Sequence, residues 1–167
     1  MHSSNTSFCK GDIVQVNQSM IESVIASVQM SSEVGCGRIC LHDTPNNPLH
    51  EMLIIRRREY YSRPDKHTTT SESHLILRGK EAVVFFSDDG EIINSIILEQ
   101  NGVIAYRVNT DIYHMIIPLT DIAVDVEVKL GPFNQKSNIF PDWAPDGSIK
   151  TDVERFMYEV KSAINLA

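Results

Sequence analysis

The chain has 167 residues, a formal net charge of −7 and 42% hydrophobic residues, enough for one domain whose core needs no disulfides. The acidic balance argues against general binding to a nucleic-acid backbone, which calls for a basic face. No apolar run approaches the ~20 residues that span a bilayer, so neither nucleic acid nor membrane is an expected partner.

The opening "MHSSNTSFCKGD" lacks the apolar core of a secretory signal. Three cysteines, Cys9, Cys36 and Cys40, form an odd set suited to a reducing compartment, and a cytoplasmic location is expected. Cys36 and Cys40 have no second cysteine pair nearby to complete a zinc site and read as partly buried thiols. Next, "QSMIESVIASVQM" places Met20, Ile21, Val24, Ile25 and Val28 on one helical face over residues 18–30, with Asn17 as N-cap. From Ile39 the pattern changes to short apolar runs between turn signals. "ICLH", "LHEMLIIRRREYYS", "ESHLILRG", "EAVVFF", "EIINSIIL", "GVIAYRV", "IYHMIIPL" and "IAVDVEVKL" follow in order, with "SDDG" as a hairpin turn. Such spacing predicts a β-sandwich or closed barrel. Beyond Gly131 the chain is irregular, until "TDVERFMYEVKSAINL" sets Val153, Phe156, Met157, Val160 and Ile164 on one stripe. Thr151 and Glu154 have capping-box spacing at its start.

The stretch "PDKHTTTSESHLILRG" carries the chemistry. Alternation along a strand puts Asp65 and His67 on one face. Glu72 follows a short loop and shares its face with His74, Ile76 and Arg78. If the two segments were antiparallel neighbours, Asp65, His67 and Glu72 would converge. Far downstream, His114 shares a face with Ile112 and Ile116. An imidazole on an apolar inward face needs a hydrogen-bond partner or a metal. Two imidazoles with one or two carboxylates suit a first-row divalent ion with open positions, such as Fe, Mn, Zn or Ni.

These residues resemble the cupin motifs. Asp65-x-His67, Glu72 and Gly79 follow the later part of the first motif, and His114 stands for the single histidine of the second. Asp65 occupies the place of the first motif's leading histidine, and Glu59 that of its opening glycine. The second motif's glycine, proline and asparagine are absent. "RICLHDTPNNPLHEML", "YYSRPDKH", "SESHLILRGKEAVVFFSDDG", "YHMII", "EVKLGPFN" and "DWAP" occur in the order of the WbuC family of cupin-fold metalloproteins, which is associated with surface polysaccharide gene clusters. The resemblance implies a mainly β fold, a double-stranded β-helix or jelly-roll-like cupin barrel over residues 35–146. A segment with an amphipathic helix (1–34) would precede it, and a helix packed on the barrel (147–167) would follow. It implies one divalent ion held by His67, Glu72 and His114, with Asp65 a ligand by position only, and a homodimer.

Other residues have two readings each. His74 lines the cavity or orients a metal ligand; with Glu127 it is a candidate for moving a proton. Asp125, Glu127 and Lys129 share one face, either a solvent-facing ladder or a polar row in the barrel. His42 and Arg63 are candidates for substrate contact, with His50 a weaker one. Arg56, Arg57 and Arg58 read as a solvated edge with one buried partner. Trp143 plugs the barrel's bottom or meets a second copy. The leading expectation is a metal-dependent enzyme acting on a small polar molecule, a sugar or sugar nucleotide, with isomerase or epimerase chemistry. The alternatives are a non-catalytic sugar-binding or sensor cupin, a non-haem iron oxygenase, and a metal-free cupin isomerase.

Overall fold

The computed structural model describes residues 5–31 and 35–166. Residue 34, the expected end of the N-terminal segment, lies outside them. Asn17 caps α1, Gln18–Met30, by accepting the Met20 amide at 3.1 Å. The helix lays Met20, Ile21, Val24, Ile25 and Val28 against Ile39, Leu53, Ile55, Ile122 and Val124. Gly37 permits that approach: a Cβ there would meet Val24 and Val28 methyls at 2.6 and 2.8 Å.

Eleven strands are described: β1 Thr6–Phe8, β2 Cys36–Cys40, β3 Leu49–Arg57, β4 Lys66–His67, β5 Glu72–Arg78, β6 Lys80–Phe86, β7 Ile92–Glu99, β8 Ala105–Val108, β9 Tyr113–Pro118, β10 Ile122–Leu130 and β11 Asn138–Ile139. One sheet runs β1-β2-β3-β10-β5-β8 and another β7-β6-β9. A small β11-β4 pair extends the second sheet, because Asp65 bridges to His114 on β9. Alternation then sorts the side chains. One inner cluster is Ile76, Val83, Leu98 and Ile116, and another is Cys36, Cys40, Met52 and Ile54. The outer face of the second sheet, with Ala82, Val84, Phe86, Met115 and Ile117, receives α2, Lys150–Ala163, through Phe156, Met157 and Val160. Each sheet thus has a helix on its back; the sequence pattern predicts two flanking helices but not which sheet each covers.

Four details differ from expectation. β1 adds a parallel strand beside β2 that no alternation announces. β4 and β5 are not neighbours; they pair with β11 and with β10 and β8 respectively. Thr151 and Glu154 form no capping box, since α2 starts after Ile149 without a side-chain cap. A turn in which Asp146 accepts from the Ser148 amide and hydroxyl, at 2.8 and 2.6 Å, sets that earlier start. Trp143 donates to the Asp88 carbonyl at 2.9 Å and packs against Phe86 and Phe156, so it fastens the β6–β7 turn to α2. The arginine triplet divides as read: Arg56 is buried with Glu81 and Asp125, while Arg57 and Arg58 meet Glu59 and Asp121. Arg57 also donates to the Val28 and Ser31 carbonyls at the C-terminal end of α1.

Candidate metal centre

Glu72 opens β5 in the large sheet, whereas His67 ends β4 and His114 lies on β9, both on the opposite side. The three converge across the barrel, and not along paired neighbours. They are 4%, 6% and 5% exposed, and one donor atom from each lies within 4.8 Å of the others. His67 Nε2 is 2.8 Å from Glu72 Oε2, and His114 Nε2 is 2.7 Å from Glu72 Oε1.

The outer nitrogens fix the protons. His114 Nδ1 lies 3.0 Å from the Ile112 carbonyl, which can only accept, so Nδ1 carries a hydrogen. The Asn138 amide nitrogen donates to Asp65 Oδ2 at 3.1 Å, which turns Asn138 Oδ1 toward His67 Nδ1, also 3.1 Å away. His67 Nδ1 therefore donates as well. If both rings are neutral, two Nε2 lone pairs face a carboxylate with no positive charge between them. Two further buried imidazolium charges would relieve this at a high desolvation cost. A divalent cation shared by the three atoms relieves it directly, and hydrogen-bonded Nδ1–H groups are the usual support of metal-binding histidines. The donor set fits a metal. Asp65 stands outside the set of three: its carboxylate holds Asn138, with 3.9 Å to His67 Nδ1. Burial raises the Asp65 pKa, and the nearby His114 and His67 oppose the rise.

Below Glu72 runs a buried polar column. His74 Nε2 is 3.1 Å from Glu72 Oε1, and its Nδ1 is 2.6 Å from Asp125 Oδ2. Both neighbours are acceptors, so both ring nitrogens donate. Burial works against that charge, but the bonds to Asp125 and Glu72 hold the His74 pKa up to about 10. Burial also opposes the charge on Glu72, yet the three imidazoles around it, with His74 donating to Oε1, bring its pKa well below the ordinary range. Asp125 continues to Arg56, which also donates to Glu81 at 3.1 Å. Burial pushes Glu81 up to about 7 against the pull of Arg56. His74 is thus a support beneath Glu72, stacked on Tyr106.

Glu127 and Lys129 face the interior, so the polar row of β10 is not a solvent ladder. Their register partners on β5 are His74 and Glu72. Lys129 Nζ is 2.6 Å from Glu127 Oε1 and 3.8 Å from Glu72 Oε2. Burial disfavours the Glu127 charge, but Lys129 outweighs it and brings the pKa to about 2. Glu127 is therefore a poor proton acceptor in this arrangement. A cavity of about 500 Å³ is lined by Arg38, His42, His50, Met52, Glu127 and Lys129 among others. It shares His50, Lys129, Phe133 and Asn138 with a smaller one of about 290 Å³ that reaches His67. His42 stacks on His50 at 4.2 Å, so both stand in the cavity wall. Arg63 lines neither: its guanidinium donates to the Pro141 carbonyl at 2.7 Å and lies over the Phe140 ring. Its place beside the metal motif in sequence does not bring it to the cavity, because the side chain folds back onto the segment before α2. Sequence reading missed Asn138 and Arg38, and it placed Lys129 in the polar row of β10 without a role at the centre. The short irregular segment before β11 offered no periodicity to mark Asn138.

The family model of a domain of unknown function (DUF6016) matches residues 19–98. A search of curated proteins returns no match. Among solved structures, the capsular polysaccharide assembling protein CapF from Staphylococcus aureus aligns with TM-score 0.56 and 18% identity, over 66% of this chain and 33% of that one. A CapF structure with the inhibitor 3-isopropenyl-tropolone gives the same values. The fold is a cupin fold. This chain spans about a third of CapF, and the likeness is one of fold. KdgF from Halomonas sp. aligns with TM-score 0.48 and 18% identity, over 64% of this chain and 87% of that one. Among the described residues, no helix is long and apolar enough to cross a membrane.

Proposed function

We propose that the chain is a metal-dependent enzyme acting on a small, polar, sugar-related molecule, with His67, Glu72 and His114 as ligands of one divalent ion. The observation that carries this reading is the pair of imidazoles whose Nδ1–H groups are committed outward while both Nε2 atoms face Glu72. The sugar-related part is supported by fold-level analogy to a capsular polysaccharide assembling protein and by the WbuC-like segments. The homodimer belongs to the same resemblance, and sedimentation analysis tests it.

A bound ion supplies Lewis acidity toward a carbonyl or hydroxyl oxygen. The protein's own groups do the rest. His74, fixed by Asp125, holds Glu72 in one orientation. Lys129 brings a positive charge beside the ligand carboxylate, where a developing oxyanion is stabilised. Glu127 keeps Lys129 charged and can accept a hydrogen bond from a substrate hydroxyl. A Lewis acid beside an oxyanion site is what isomerase or epimerase chemistry has in common with this layout, while His74 and Glu127, as they are bonded here, do not serve as its base. A second reading has its own support: two histidines and one carboxylate are also the donor set of non-haem iron oxygenases.

The test is elemental analysis of purified protein, followed by turnover assays of the loaded protein with sugar nucleotides and sugar phosphates. About one equivalent of metal is expected. Oxygen uptake would select the oxygenase reading. Metal and ligand binding with no turnover would leave a non-catalytic sugar-binding cupin. Protein that takes up no divalent ion at neutral pH would overturn the assignment.

A further inference from the structure

Arg38 sits on the inner face of β2 between Cys36 and Cys40, opposite Ile54 of β3, and lines the larger cavity. It differs from every other arginine of the chain. Arg56, Arg57, Arg58, Arg63, Arg78, Arg107 and Arg155 each donate to a named oxygen. The Arg38 guanidinium has no such partner among the described residues. The nearest carboxylate on the same cavity wall, Glu127, is already paired with Lys129 at 2.6 Å. Cys40 adds no negative charge, because burial lifts its pKa to about 11. A guanidinium with no hydrogen-bonded counter-ion of its own, attracted only at longer range by Glu127, therefore lines the cavity, in a chain whose net charge is −7.

We infer that this cavity binds the anionic group, a phosphate or carboxylate, of a polyhydroxylated ligand, with Arg38 as the anchor. The inference rests on the metal-enzyme reading for the other end of the ligand. A guanidinium fork matches a planar carboxylate or a phosphate through two parallel N–H donors. Distance bears on the size of the ligand. Arg38 on β2 and Glu72 on β5 are separated by β3 and β10. Arg38 shares a register row with Ile54, Asp125 and Ile76, whereas Glu72 shares one with Lys129 and His50, four residues further along. Three inter-strand steps of about 4.8 Å and four residues of about 3.3 Å put the two backbones about 19 Å apart along the sheet, and the curved barrel and the two inward side chains shorten the gap. A sugar carrying a terminal phosphate or carboxylate therefore extends from the guanidinium toward the metal ligands, whereas a bare anion touches one end only. The stacked His42–His50 pair makes a flat part of the same cavity wall, His50 lying on the register row of Lys129 and Glu72. His50 is tied by Nε2 to the Pro45 carbonyl at 3.1 Å, which keeps that wall in place.

The experiment is calorimetric titration of the full chain with inorganic phosphate, glucose 1-phosphate, glucuronate and glucose. It compares the wild type, the wild type with EDTA, Arg38→Gln and Arg38→Lys. Inorganic phosphate should bind the wild type with and without EDTA and weaken by at least about tenfold in Arg38→Gln. Glucose should bind far more weakly than either anion-bearing sugar, and the stronger of those two names the anion. Arg38→Lys, which keeps the charge without the fork, should fall between wild type and Arg38→Gln, and it serves if Arg38→Gln does not fold. Phosphate binding that EDTA removes and neither Arg38 variant changes would place the anion on the metal and overturn the inference. So would an absence of binding by all anions at tens of millimolar. Protein that takes up no divalent ion when one is supplied, yet binds phosphate through Arg38, would sink the metal reading and leave this anchor standing.

Discussion

Asn138 accepts a hydrogen bond from His67 Nδ1 at 3.1 Å only because Asp65 holds the other end of its amide, also at 3.1 Å. The aspartate where a cupin motif has its leading histidine therefore acts on the centre through a neighbour. Asn138→Ala should lower metal affinity by about 10- to 100-fold, the usual effect of losing a partner of a ligating histidine. Asp65→Ala should weaken binding less and keep a full equivalent at saturating metal. Chelator competition measures both. An Asp65→Ala protein that cannot be loaded would make Asp65 a ligand.

His67→Ala and His114→Ala should each lose stoichiometric metal while keeping the wild-type circular dichroism spectrum. The remaining donors cannot close the site. If both variants fold and retain a full equivalent, the ion sits elsewhere. In the wild type, acid should release the ion, because protons compete for both imidazoles.

Glu81 supplies a pH signature away from the mouth. Burial raises its folded-state pKa to about 7 from an ordinary 4.5. The folded protein thus holds a proton that the unfolded chain releases earlier, so this contribution to stability is complete below about 4.5 and is lost as pH rises through about 7. Glu81→Gln does not titrate. Its stability relative to wild type should rise between pH 5 and pH 8, by roughly 3 kcal/mol at most. Urea denaturation at both pH values reads the difference, and a constant difference would refute the shift.

Asp125 accepts from both His74 and Arg56 and is fully buried. Asp125→Ala leaves two buried cations without their shared partner and should destabilise by about 3–5 kcal/mol. Asp121→Ala removes an exposed partner of Arg58 and should change little. Similar losses for the two variants would contradict the column described beneath Glu72.

Alternation made the strands of the barrel legible, and the apolar stripes did the same for both helices, because burial on one face imposes those periods. The donors His67, Glu72 and His114 were legible as residue types at suggestive positions. Their convergence was not read correctly, since the Thr68–Ser71 loop crosses from one sheet to the other instead of turning back beside β4. Arg56, Glu81 and Asp125 were harder still. A charged residue alternating with apolar ones looks like a solvent face until its partners, far off in sequence, are found on the opposite wall. Asn138 and the parallel strand β1 lie in short segments whose conformation is set by what they pair with, and such segments carry almost no local pattern.

The indole of Trp143 joins the β6–β7 turn to α2, and the chain contains no other tryptophan. Nature has in effect built a fluorescent reporter into the back of the barrel. Its emission follows the seating of the C-terminal helix, and its contact toward the mouth is Tyr113, whose ring lies on the face of β9 opposite His114. A titration at the metal centre should leave that signal nearly still, while undocking of α2 should shift it toward the red. One optical channel can then separate ligand-site events from loosening of the scaffold.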